Sequence, residues 1–273
     1  MIGSSLERDR LGYFASWFPW GIALDGSRNI FVCDYNKHQV RVYSNDGSLL
    51  LTFGAKGSAA GQFCRPFGIA VNREGNLLVA DSDNHRVCFM SPTGAFLSKL
   101  GGPAAANKGL RFHAPRAVVV NQADGSFLVV DTGNHRLLKF SAVRKLLFQL
   151  GERGDGPGCF SSPYAAAISP ANGRIWVSDH GNHRLQVFDA EGTFLFSVGS
   201  FGKQDGELAH PCGLAVDPQG KVFVCDYLNK RIQIFNQSGS FMGKFKVPYP
   251  KDVAIDVNSH IIISTPHGMR VFG

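Results

Sequence analysis

The stretch "DTGNHRLLKF", beginning at Asp131, returns along the chain as "DYNKHQVRVY" from Asp34, "DSDNHRVCFM" from Asp81, "DHGNHRLQVF" from Asp179 and "DYLNKRIQIF" from Asp226. The motif acids stand at 34, 81, 131, 179 and 226, a period of 47 to 50 residues. A second element precedes each motif: "FPWGIALD", "RPFGIAVN", "APRAVVVN", "SPYAAAIS" and "HPCGLAVD". A sixth version, "YPKDVAID", is followed by "HIIISTPHGMRVF", which lacks both the acid and the Asn-His-Arg. A repeat in register constrains the fold strongly, because each unit must bury its apolar face against the next.

Within a copy the local signals are those of strands. A Pro-x-Gly start leads into a short apolar or alternating run such as "GIAV". Turns such as "NREGN" and "DPQGK" lead into "NLLVAD" and "KVFVCD", runs suited to a buried strand. The Asp motif turns the chain into a third strand, and a tight "DGS" or "EGT" hairpin leads to a fourth. No helical periodicity is visible. Four antiparallel strands per copy and six copies predict an all-β, six-bladed β-propeller. The blades are expected near 14–62, 63–111, 112–160, 161–207, 208–246 and 247–273, as one domain cut from a longer chain. Copy six ends at its third strand, so an N-terminal segment is expected to close the ring.

The 273 residues are 44% apolar with 32 glycines and 13 prolines, a folded, turn-rich composition and not that of a disordered chain. No apolar run approaches the roughly 18 residues of a membrane-spanning helix. The six cysteines form no C-x-x-C, so neither a zinc ribbon nor a redox motif is indicated. They read as small buried thiols of a reducing, cytoplasmic setting. The net charge of +7 allows an anionic partner without requiring one.

The Asn-His-Arg after a strand-ending Asp, with Pro-x-Gly-φ-Ala-Val upstream, resembles the NHL repeat, and the likeness runs the length of the chain. The resemblance implies a six-bladed propeller. It also implies kinship with the C-terminal domains of tripartite-motif ubiquitin ligases and Brat-like translational regulators, with domains of bacterial sensor kinases, and with the propeller of the peptide-amidating lyase.

Asp34, Asp81, Asp131, Asp179 and Asp226 read as structural, each accepting hydrogen bonds from turn amides. Arg86, Arg136, Arg184 and Arg231, five residues on, can return to the same carboxylates, with Gln39 at this place in copy one. The Asn at the fourth motif position suits a positive φ. The motif histidines would point from separate blades, so they cannot converge on a metal ion unless they line the axis, and they are expected to be exposed, open to contact with a partner.

The variable residue of Pro-x-Gly is the sharper feature. Its occupants are Trp20, Phe67, Arg116, Tyr164, Cys212 and Lys251, placed where each inner strand begins at one mouth of the channel. They differ from copy to copy while their neighbours repeat. The adjoining turns and links add Tyr35, Lys37, Arg65, His135, His180, Tyr227 and Lys230. Aromatics stack single-stranded bases and cations meet phosphates. Excluding the motif pairs, this rim carries twelve basic and eight acidic residues, the opposite rim six and eight. With the RNA binding that the Brat-like resemblance implies for this face, the expected function is a non-catalytic domain reading single-stranded RNA, a monomer with no cofactor and no membrane contact. The alternative is a protein- or peptide-interaction scaffold on the same face. A metal-dependent lyase or lactonase ranks last, since the variable positions hold no His or acid, and His210 and Asp252 flank the channel singly. For Trp20 and Phe67 the plainer alternative is a plug in the channel top.

Overall fold

The computed structural model describes residues 18–102 and 110–273. Its sheets follow chain order: β1–β4 from Pro19 to Phe53, β5–β8 from Pro66 to Gly101, β9–β12 from Ala117 to Leu150, β13–β16 from Ala166 to Val198, and β17–β20 from Pro211 to Lys246. A sixth sheet, β21 (Asp252–Ile255), β22 (Ile261–Thr265) and β23 (Gly268–Phe272), has three strands among the described residues. Neighbouring strands within each sheet are antiparallel. The chain is therefore a six-bladed β-propeller. The N-terminal segment expected to complete the ring lies outside the described residues, as do Arg8, Arg10 and Lys108 of the rim count. No helix among the described residues is long and apolar enough to cross a membrane.

Burial follows strand position. The second strands, "IFVCD", "LLVAD", "FLVVD", "IWVSD" and "VFVCD", are buried along their whole length, packed on both faces between neighbouring blades. The fourth strands alternate, as "LLFQL" and "FLFSV" do, with one face on the blade and one in solvent. Pro-x-Gly marks a register shift between the first and second strands, at Pro19/Ile22, Pro66/Ile69 and Pro211/Leu214. A Cβ on Gly68 would lie 2.5 Å from the Arg116 carbonyl oxygen, so the glycine lets adjacent inner strands close on the axis.

The motif Asp clasps each blade. Asp131 Oδ1 accepts from the His113 amide at 2.6 Å, and Oδ2 from Asn134 Nδ2 at 2.8 Å and Arg136 Nε at 2.8 Å. The same arrangement recurs at Asp81, Asp179 and Asp226, whose arginine partners are Arg86, Arg184 and Arg231 at 2.6 to 2.9 Å. All five motif acids are fully buried. In the first blade the arginine comes from a different place: Arg41 Nε reaches Asp34 at 3.1 Å, rather than Gln39.

Positive φ belongs to the fifth motif residue and not to the fourth, where the Asn stands in four copies: His38, His85, His135, His183 and Lys230 lie at φ 54° to 57°. Histidine is among the few non-glycine residues enriched there. The Asn instead bridges its Asp to a carbonyl of the incoming link, as Asn84 does to Gly57. The histidines are not free. Nδ1 of His38, His85, His135 and His183 accepts from the amide of the residue preceding the next blade's proline, at 2.9 to 3.1 Å. Each is a latch between blades.

Candidate functional site

The first residues of the inner strands converge on the link-side mouth. Trp20 and Phe67 lie 4.4 Å apart between ring centroids, Phe67 and Tyr164 5.3 Å, and Trp20 and Tyr164 5.8 Å. Tyr35 packs edge-on against Phe67 at 5.8 Å. These rings from three blades form a lid over the axis. Arg116 lies 5.0 Å from the Tyr164 ring centroid and 5.1 Å from that of Phe67. Lys251 places Nζ 3.0 Å from the Phe18 centroid and 4.5 Å from that of Trp20, with 1% of its surface exposed. Burial pulls the Lys251 ammonium down to about 7.

Asp252 takes the place of the glycine in the sixth copy. Its Oδ2 accepts from the Ile22 amide at 2.9 Å, joining the sixth blade to the first. Ser264 Oγ adds a bond to the Trp20 carbonyl at 2.6 Å. Burial pushes the Asp252 carboxyl up to about 7.

On the fourth and fifth blades the mouth carries two histidines. His180 follows the motif Asp, where Ser82 and Thr132 stand in the second and third blades. Those hydroxyls donate to Pro115 O at 2.6 Å and Pro163 O at 2.7 Å. His180 Nδ1 lies 3.1 Å from Pro211 O and fills the same role. A carbonyl only accepts, so Nδ1 carries the proton and His180 Nε2 is left as an acceptor. His210 Nδ1, 3.1 Å from that Nε2, must donate to it. The His210 Nε2 lone pair is then free, with its ring orientation fixed. Burial, and then the neighbouring His210, lower His180 to about 4, so it is neutral near pH 7. Tyr164 stacks on His180 at 5.1 Å. Cys212 lies 3.8 Å from His180 Nδ1, but burial pushes its thiol up to about 12, far from an active thiolate. The expectation that His210 stands singly is corrected. The sequence signal was present, since both positions vary among copies and both are His here, but the two meet only across the joint between blades.

The other residues singled out from the sequence fall elsewhere. Tyr227 and Lys230 gather around Tyr249, at 5.5 and 4.7 Å. His135 is a blade latch. Arg65 covers Tyr35 at 5.5 Å and pairs with Asp83 at 3.3 Å, and Lys37 lies on an exposed turn.

A divalent metal does not fit this mouth. No group of three or more His, Cys, Asp or Glu side chains among the described residues is placed to hold one. Both Asp252 oxygens are committed to backbone amides, of Ile22 and Val253.

Among solved structures the chain is similar to a gluconolactonase of Xanthomonas campestris: TM-score 0.73 at 16% identity, over 95% of this chain and 86% of that one. It is similar to a luciferin-regenerating enzyme: TM-score 0.72 at 13% identity, over 98% and 94%. It is also similar to a virginiamycin B lyase of Staphylococcus aureus, solved with quinupristin as a catalytically inactive histidine-to-alanine variant: TM-score 0.66 at 10% identity, over 95% and 86%. No curated protein sequence gives a match.

These findings correct the expectation of a non-catalytic, RNA-reading domain, and the peptide-scaffold alternative with it. The propellers named above are enzymes. The rings that would stack bases are already packed against one another, tilted or edge-on, with Phe67 7% and Tyr164 5% exposed. The lid is the plug that the plainer alternative anticipated.

The NHL repeat matches residues 17–43, 63–88, 112–140, 160–188 and 208–235, together just over half of the sequence. With its motif acids, asparagines and arginines clasping the blades they come from, the chain belongs to the NHL-repeat family.

Proposed function

We propose that this chain is a propeller enzyme that opens a small cyclic ester at the link-side mouth, with His210 as general base and Arg116 facing the negative charge that develops on the substrate. The observation that carries this reading is the His180–His210 hydrogen bond, which orients the His210 ring against a neutral His180 and leaves the His210 Nε2 lone pair free. His210 Nε2 would take a proton from an attacking water, or from a carbon next to the reacting bond. Either path builds negative charge on the ester oxygens. Arg116 forms no salt bridge among the described residues and is held two stacked rings away, through Tyr164 and His180. The named likenesses to a gluconolactonase and a virginiamycin B lyase support ester-opening chemistry of this broad kind. The narrower likeness to tripartite-motif ligases and Brat-like regulators draws no support from those structures and plays no part in the proposal.

The test is turnover of a panel of lactones and cyclic depsipeptides, with products read by mass to separate hydrolysis from elimination. His210→Gln is expected to lower kcat/KM by roughly 10²- to 10⁴-fold, the usual contribution of a general base. Its fold should hold, because the hydrogen bond of the His183 latch is to the His210 backbone amide, which glutamine keeps. A variant that turns over substrate at the parent rate removes His210 from the mechanism.

A further inference from the structure

Beneath the lid a cavity of about 320 Å³ runs along the axis between the inner strands of the blades. Its side chains below the lid are mostly apolar, with Leu24, Val71, Val120, Ile168, Val216 and Ile255 toward the far rim and Gln122 beside them. Its upper end is different. Trp20 Nε1 is buried with no partner among the described residues, and the buried Tyr164 hydroxyl has a sulfur partner, Cys212, and no nitrogen or oxygen one. Lys251, seated over the Phe18 and Trp20 rings, has one weak oxygen contact for three N–H groups, Pro19 O at 3.4 Å, and no salt bridge is formed there by Lys251 or Arg116. The one carboxylate lining the cavity, Asp252, spends both oxygens on backbone amides. The upper end therefore holds two cations and the unpartnered Trp20 N–H with no free carboxylate, an arrangement that favours a ligand able to accept from it.

The repeats argue against a requirement of the fold. Trp20, Arg116, Tyr164 and Lys251 occupy one repeat position, which holds Phe67 in the second blade and Cys212 in the fifth, while the preceding prolines repeat. Packing would be met by any apolar side chain there. Water alone would leave the buried Lys251 and the half-buried Arg116 without a counter-charge.

We propose that this cavity binds the anion of a small carboxylic acid, its head group among Lys251, Trp20, Tyr164 and Arg116 and its carbon chain along the inner strands. A carboxylate suits the donors better than phosphate does, because the walls beyond the head group are apolar and would be wasted on a fully polar ion. Binding here goes beyond the catalytic reading and survives its failure, since the observable is occupancy and not turnover.

The experiment titrates the purified full chain with sodium hexanoate, followed by calorimetry and by tryptophan fluorescence. Saturable binding of one hexanoate per chain is expected, with no binding of hexylamine, which has the same carbon chain and the opposite charge. Lys251→Met, close in shape to the parent residue, is expected to weaken binding at least tenfold. Tyr164→Phe keeps the lid ring, removes one hydroxyl, and is expected to weaken binding roughly fivefold, as loss of one hydrogen bond does. Tyr164→Phe answers the question even if Lys251→Met fails to fold. The proposal is overturned if hexanoate does not saturate, if hexylamine binds equally, or if neither variant changes the affinity. Tighter binding of inorganic phosphate than of hexanoate would overturn the carboxylate assignment.

Discussion

Two joints between blades use one device and end with different surfaces. Between the second and third blades, Ser82 Oγ donates to Pro115 O and His85 Nδ1 accepts from the Ala114 amide, at 2.6 and 3.1 Å. Between the fourth and fifth, His180 Nδ1 donates to Pro211 O and His183 Nδ1 accepts from the His210 amide, both at 3.1 Å. The first joint spends its polar groups on holding blades together. The second does the same work and has an imidazole nitrogen left over, on His180 and through it on His210. A repeat protein thus contains its own control: what recurs is scaffold, and what differs at an equivalent place without structural need is where chemistry can be added.

The links extend this contrast. Lys56, Arg153 and Phe201 occupy equivalent places, each in an isolated bridge to the buried residue that ends the link: Phe63, Phe160 and Leu208. All three are exposed, so solvent-facing charge satisfies the fold there. Phe201 nonetheless puts an aromatic ring 70% exposed beside His183, at 4.8 Å. It forms an apolar lip next to the histidine pair.

The clasp should not distinguish the two regions. Asp81→Ala and Asp179→Ala each strand a paired arginine and several donors, and each is expected to cost about 3–5 kcal/mol in urea unfolding. A cost several-fold smaller at either one would mean that the clasp is not a shared device. The latches separate the regions by readout. His85→Ala and His183→Ala should each cost about 1–2 kcal/mol, from one lost hydrogen bond and an alanine forced to positive φ. Only His183→Ala should also depress turnover, because His183 holds the backbone of His210.

His180→Thr copies the residue of the third blade, where Thr132 makes the equivalent bond. His180 is held near 4, below its usual 6.5, so between those values the unfolded chain binds a proton that the folded chain refuses. Stability therefore falls as pH drops through that window. The threonine variant should match the parent within about 1 kcal/mol at pH 7.5 and lose less stability on going to pH 5. An unchanged pH slope would show that His180 is not the acid-sensitive group. The smallest effect is expected at Phe201→Lys, which restores the residue type of the first link. Stability should move by less than about 0.5 kcal/mol, while KM for apolar substrates rises.

Much of this was legible in the sequence. The period, the run of strands, the Pro-x-Gly starts and the Asp–Arg pairs are local or nearly so: Asp131 and Arg136 stand five residues apart and meet directly across the β10–β11 turn. Backbone geometry forces such neighbours together. The first blade is the exception, since Gln39 and Arg41 were both donors in reach of Asp34 and only the packed sheet chose Arg41. The motif histidines looked like exposed ornaments because their partners, Arg65, Ala114, Ser162 and His210, lie 27 to 29 residues ahead in the next blade.

The sequence by itself determined the repeat, the blade and the residues that could vary at the mouth. The tertiary structure decided what those residues are. Trp20, Phe67 and Tyr164 come from blades that are not all adjacent and meet only because the ring closes on a narrow axis, where they bury one another's faces. The same closure leaves Lys251 without a carboxylate partner and sets His180 against His210. Periodicity states which positions are equivalent. It carries no information on which side chains touch across the ring, because those contacts are set by how the blades pack.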